Sequence, residues 1–130
     1  MLLSPLYASS EEATFEVTLS GPESTGDPDG QGQATVVLNS ETNAVEVRLS
    51  YSGIAPPTAL FLRRGATGME GNIALPIVIE SDEGGMLVGR RESSKPKVVE
   101  TILAAPTEHH LVVTNDEYPV GALRGQLREQ

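Results

Sequence analysis

The 130-residue chain has no cysteine and no tryptophan, two Phe, three Tyr, and only nine Lys plus Arg. Each shortage excludes something. Without cysteine there is no disulfide, no thiolate metal site and no cysteine nucleophile. With so few aromatics, the core must be built from Val, Leu, Ile and Ala. Eighteen acidic residues against nine basic ones give a net charge of −9. A surface of that sign repels phosphate backbones, so nucleic acid is excluded as a partner and an anionic membrane surface is disfavoured. No apolar run approaches the ~20 residues of a membrane-spanning helix.

Turn formers are plentiful, with 13 Gly and nine Pro, which favours many short strands over long helices. Phe15, Val17 and Leu19 alternate with Thr14, Glu16, Thr18 and Ser20, the period of a half-buried strand. Ala34, Val36 and Leu38 define a second strand. Val45, Val47, Leu49 and Tyr51 define a third, and the turn Asn39–Asn43 makes the pair a hairpin. Ala59–Arg64 is a more continuous apolar strand. Ile73–Glu80 contains Pro76 and is expected at an edge or a bulge. Gly84-Gly85 opens a strand through Val88, and Leu111–Thr114 and Ala122–Arg128 complete the set. One helix is predicted from Pro96 to Ala105, with Val98, Val99, Ile102 and Leu103 on its core face. The expected fold is all-β: an antiparallel Greek-key sandwich or barrel of about eight strands. Residues 1–13 read as a flexible tail, with a trimmed export signal as the alternative for the first ten, and residues 14–130 as one domain.

Two glycine-punctuated stretches stand out: Leu62–Asn72, with Gly65, Gly68 and Gly71, and Tyr118–Leu127, with Pro119, Gly121, Arg124, Gly125, Gln126 and Leu127. Together with Leu19-Ser20-Gly21 they resemble the signature of the chordin-type (CHRD) family, over roughly residues 15 to 128. The resemblance implies a superoxide-dismutase-like Greek-key β-fold. It also locates departures. Phe61 and Arg63 stand where the family's central element carries histidines, Thr114 where the late element carries one, and Ala122 where that element carries an acid. Metal or proton chemistry dependent on those histidines is therefore not carried over, and superoxide dismutase activity is not expected. The glycines serve tight turns.

Other candidates weigh toward structure. His109 and His110 are strand neighbours on opposite faces, so they cannot chelate one metal together. One is expected to pack at the helix–strand junction and the other to be solvated. Asp27-Pro28-Asp29-Gly30 resembles the start of a calcium loop, but position 38, where a bidentate Glu would fall, is Leu38. Ser93-Ser94-Lys95 has no oriented base. Arg63 is expected to face inward if Phe61 does, with Glu70 or Asp116 as its anionic partner. Phe61, Arg63, Arg64, Glu70, Asp116 and Arg124 are thus the candidate ligand-binding residues, with no catalytic residue, metal or cofactor expected. The reading is a non-catalytic interaction or structural module, exported to the periplasm or cell exterior, with the cytoplasm as the alternative. Its partner would be a protein or a small apolar or anionic ligand. The competing reading is a small β-barrel enzyme that shapes an apolar substrate for cyclisation or isomerisation. A third is a degenerate metal carrier.

Overall fold

The alternating segments fold as strands that close on themselves. The structure, a computed structural model, describes residues 12–21, 26–65, 72–93, 95 and 97–128. The strands are β1 Glu12–Ser20, β2 Gln31–Asn39, β3 Ala44–Ser52, β4 Pro57–Arg64, β5 Ile73–Glu83, β6 Met86–Glu92, β7 His109–Asn115 and β8 Leu123–Gln126. One helix, α1 (Val98–Ala104), and a 3-10 turn (Pro106–Glu108) lie between β6 and β7. The order around the closed antiparallel barrel is β1-β2-β3-β6-β5-β4-β7-β8, and β8 returns to β1 through Ser20 opposite Arg124. No helix among the described residues is long and apolar enough to cross a membrane.

The period-two pattern chooses the inner face. Val17, Val36, Leu38, Val47, Leu49, Leu60, Leu62, Leu87, Leu111, Val113 and Leu123 are fully buried in one cluster. Each such side chain contributes about 1.5–3 kcal/mol by leaving water. The β8–β1 seam needs a residue without a side chain. A Cβ on Gly125 would lie 2.4 Å from the Thr18 carbonyl oxygen and 2.7 Å from Val17 Cγ1, so any larger residue would push the seam apart.

The turns follow their chemistry. Gly84 and Gly85, at φ 61° and 83°, form the two-residue β5–β6 hairpin between the paired Glu83 and Met86. Asp27 Oδ1 accepts the Asp29 amide at 3.0 Å, which makes the calcium-like segment an Asx turn. Pro76 lies within a strand flanked by β4 and β6, not at an open edge. It is tolerated because pairing with β6 begins only at Val78, so no ladder bond is lost on that flank. At the barrel end closed by the β5–β6 turn, Tyr51 Oη donates to Asp82 Oδ1 at 2.7 Å. Burial, followed by that bond, pushes its phenol up to about 12.

α1 covers the opposite end with Val99 and Ile102 buried and Val98 and Leu103 packed against the core. Its predicted start at Pro96 lies outside the described residues. No side chain at the helix's own N-terminal boundary caps it. Asn43, in the left-handed region at φ 58°, does so from the β2–β3 hairpin. Its Oδ1 accepts the Val99 amide at 3.0 Å, and its Nδ2 donates to the Ser93 and Lys95 carbonyls at 3.1 and 2.5 Å. Replacing Asn43→Gly keeps the backbone freedom and removes all three bonds. We expect a loss of about 1–2 kcal/mol in urea unfolding, with faster amide exchange confined to α1.

Candidate functional site

Strand β7 is buried at every position from His109 to Asn115. Alternation assigns Leu111 and Val113 to the barrel interior. Val112 is fully buried but lies outside the core cluster, so the outer face of β7 is covered as well. Register places that outer face among its neighbours. Phe61 pairs with Val112, Arg63 with His110, Ala59 with Thr114, Val112 with Arg124 and His110 with Gln126. The three positions that carry histidines in the family pattern, Phe61, Arg63 and Thr114, therefore come together on the outside of β4 and β7, beside Arg124 of β8.

The condition for an inward Arg63, that Phe61 itself face inward, is not met. The run Ala59-Leu60-Phe61-Leu62 is apolar on both parities, and a one-residue shift exchanges its faces. Leu60 and Leu62 fill the interior, leaving Phe61 and Arg63 partly buried outside. Arg64 is exposed, at the barrel end beneath α1. Asp116 is exposed, and Glu70 lies outside the described residues. The five described candidates do not converge on one point. Phe61, Arg63 and Arg124 share the outer patch, and Arg64 belongs to a separate cleft.

The polar groups in and beside the patch hold backbone. Arg124, 4% exposed, donates from Nη2 to the Val120 carbonyl at 3.4 Å. Gly121 lies over the same ground, where a Cβ would stand 3.2 Å from Arg124 Nε and 3.3 Å from Val112 Cγ1. Asn115 receives the Tyr118 amide on Oδ1 at 2.7 Å and donates from Nδ2 to the Ala55 carbonyl at 3.1 Å. One side chain thus fastens the β7–β8 loop and the β3–β4 connection. Gln126 Nε2 donates to the carbonyls of Thr107 and His109 at 2.6 and 2.7 Å.

Both histidines are buried. His109 fulfils the helix–strand junction expectation, with Nδ1 2.9 Å from the Ala105 carbonyl. His110 is not solvated, because its side of β7 is covered. Its Nδ1 is 2.8 Å from the Gly65 carbonyl, which can only accept, so the neutral ring carries its proton there. Nε2 is buried and has no hydrogen-bond partner among the described residues. Burial is the main force holding the His110 pKa below the usual histidine value. The Gly65 bond opposes it, and the charges of Arg124 and Arg63 reinforce it.

Among the described residues, no three His, Cys, Asp or Glu side chains are grouped so as to hold a metal ion. Sequence reasoning missed His110 and Asn115 as organising residues. The available signal was the unbroken run His109–Thr114, which alternates too poorly for a strand with one wet face.

The depressed His110 pKa fixes a direction. The unfolded chain takes up the proton more readily, so stability is fully present above about pH 6.5 and falls as pH drops toward the lower folded value. Chemical unfolding between pH 7.5 and 5.5 should show this slope, and His110→Gln should flatten it.

The CHRD domain model matches residues 15–127 of the chain. No curated protein and no solved structure matches it. With the model covering nearly the whole barrel, including both glycine-punctuated stretches, the chain belongs to the CHRD domain family.

Proposed function

We propose that this CHRD domain is a non-catalytic structural or interaction module that works outside the cytoplasm. One observation carries the reading. Buried polar side chains around β7 are bonded to loop carbonyls: on its outer side His110 to Gly65 and Arg124 to Val120, and at the end of its inner parity Asn115 to Ala55. Groups that could have served reaction instead hold loops against β7. The positions that carry histidines in the family pattern are filled here by Phe61, Arg63 and Thr114, none of which binds copper or zinc by preference. Domains of this family are typically extracellular, which supports export. The charge of −9 argues against nucleic acid as the partner.

The enzymatic alternative needed an apolar interior cavity with Arg63 or Arg124 directed into it. Fully buried Leu and Val side chains fill the interior, and both arginines stand on the outer face of their strands. Nothing in the described geometry favours shape-driven cyclisation over scaffolding.

Transition-metal titration tests the proposal. Calorimetry of the purified chain with Cu²⁺ and with Zn²⁺ should give no stoichiometric binding tighter than about 10 µM, a free energy of about 7 kcal/mol. One-to-one binding in the nanomolar range would overturn the reading and restore the metal-carrier alternative.

A further inference from the structure

Beneath α1, at the barrel end that Asn43 secures, is a cleft of about 210 Å³. It collects basic side chains on a protein that has few. Arg64 ends β4, Lys97 precedes α1 and His109 begins β7, and all three line it. Among the described residues, no carboxylate lines it, although acids outnumber Lys plus Arg by eighteen to nine along the chain. The nearby Glu100 and Glu108 are exposed and do not line it. The remaining wall is mostly apolar, with Asn72 and Thr101 as its neutral polar members. Val98 and Ile102 come from α1 and Ile73 from β5, and Ile73 is 46% exposed, among the most exposed large hydrophobic residues of the fold.

The placement of the basic groups is built. Lys97 stands in the left-handed backbone region at φ 63°, which costs a non-glycine residue about 1 kcal/mol or more. It is held there by the Thr101 amide and hydroxyl, both of which donate to its carbonyl, at 3.0 and 2.9 Å. His109 is 2% exposed, and Nδ1 is engaged with the Ala105 carbonyl, which leaves Nε2 as the ring's remaining polar atom. A mostly apolar wall beneath two exposed cations suits a ligand with an apolar body and a single anionic head. The cations would hold a carboxylate by charge-assisted hydrogen bonds. The cleft is smaller than the ~300–1,000 Å³ of drug-sized ligand sites, so the body must be short.

We propose that the cleft between α1, β4 and β5 is a binding site for a small monocarboxylate with an apolar body, its head held by Arg64 and Lys97 and its body on Ile73, Val98 and Ile102. The site deepens the reading of the domain as an interaction module and rests on it. The outer patch over β7 plays no part in it.

Hexanoate is the probe, titrated into the ¹⁵N-labelled chain with amide shifts as the readout. Hexanamide controls for charge and inorganic phosphate for the apolar body. Saturable shifts at Ala74, Val98, Ile102 and His109 are expected, with hexanamide and phosphate each binding at least tenfold more weakly. Arg64→Gln and Lys97→Asn should each weaken hexanoate three- to tenfold, and together tenfold or more. Both side chains are exposed and Asn tolerates the left-handed backbone, so an unchanged melting temperature verifies the fold. The proposal is overturned by no saturable shift below about 10 mM, by shifts elsewhere, by equal binding of either control, or by variants that bind as tightly as the parent. Loss of hexanoate binding without metal binding leaves the module reading intact, so the two failures are distinguishable.

Discussion

A strand covered on both faces constrains everything around it, and here that strand is β7. Its inner face supplies Leu111 and Val113 to the barrel core, and its outer face buries His110, Val112 and Thr114. Covering an outer face requires loops, and loops bring backbone carbonyls and amides that must be bonded once water is excluded. Polar side chains meet this demand: His110 bonds Gly65 and Arg124 bonds Val120 over the outer face, and Asn115, on the inner parity at the strand's end, bonds Ala55 and Tyr118. Gly121 is small enough to let its loop approach Val112 closely. The late glycine-and-arginine stretch is thus a device for laying chain over β7, and its arginine serves the same purpose.

That division of labour separates two regions with different chemistry. Over β7 the polar groups face backbone, which is a structural use of hydrogen bonding. At the far side of β4, Arg64 joins Lys97 and His109 around a mostly apolar wall at the barrel end. The strand's two parities therefore serve two ends: Arg63 belongs to the covered patch and Arg64 to the cleft. α1 connects the two stories, since it closes the barrel end, walls the cleft and is anchored by Asn43 from a hairpin more than fifty residues earlier.

Much of the fold was legible because one face of most strands is wet. Phe15-Glu16-Val17-Thr18-Leu19 and Val45-Glu46-Val47-Arg48-Leu49 alternate so regularly that both strand identity and facing follow from the residues. The helix was legible from Val98, Val99, Ile102 and Leu103, and the β5–β6 turn from Gly84-Gly85. Legibility failed where alternation stops meaning inside and outside. In Ala59–Leu62 both parities are apolar, so the facing of Phe61 and Arg63 could not be read. In His109–Asn115 both faces are buried, so a histidine expected in water proved to be covered. The cleft was invisible for a different reason. Arg64, Lys97 and His109 are separated by thirty residues or more and twelve, and only the closed strand order makes them neighbours. Asn43 as a remote helix cap was hidden in the same way.

Amide hydrogen exchange of β7 tests the doubly covered strand most directly. The amides of Leu111, Val112 and Val113 should exchange only through global unfolding, with opening free energies equal to the stability measured by denaturant and slope. If they exchange through local opening well below that limit, like a strand with one face in water, the loops do not seal β7 and the structural account of its polar residues fails.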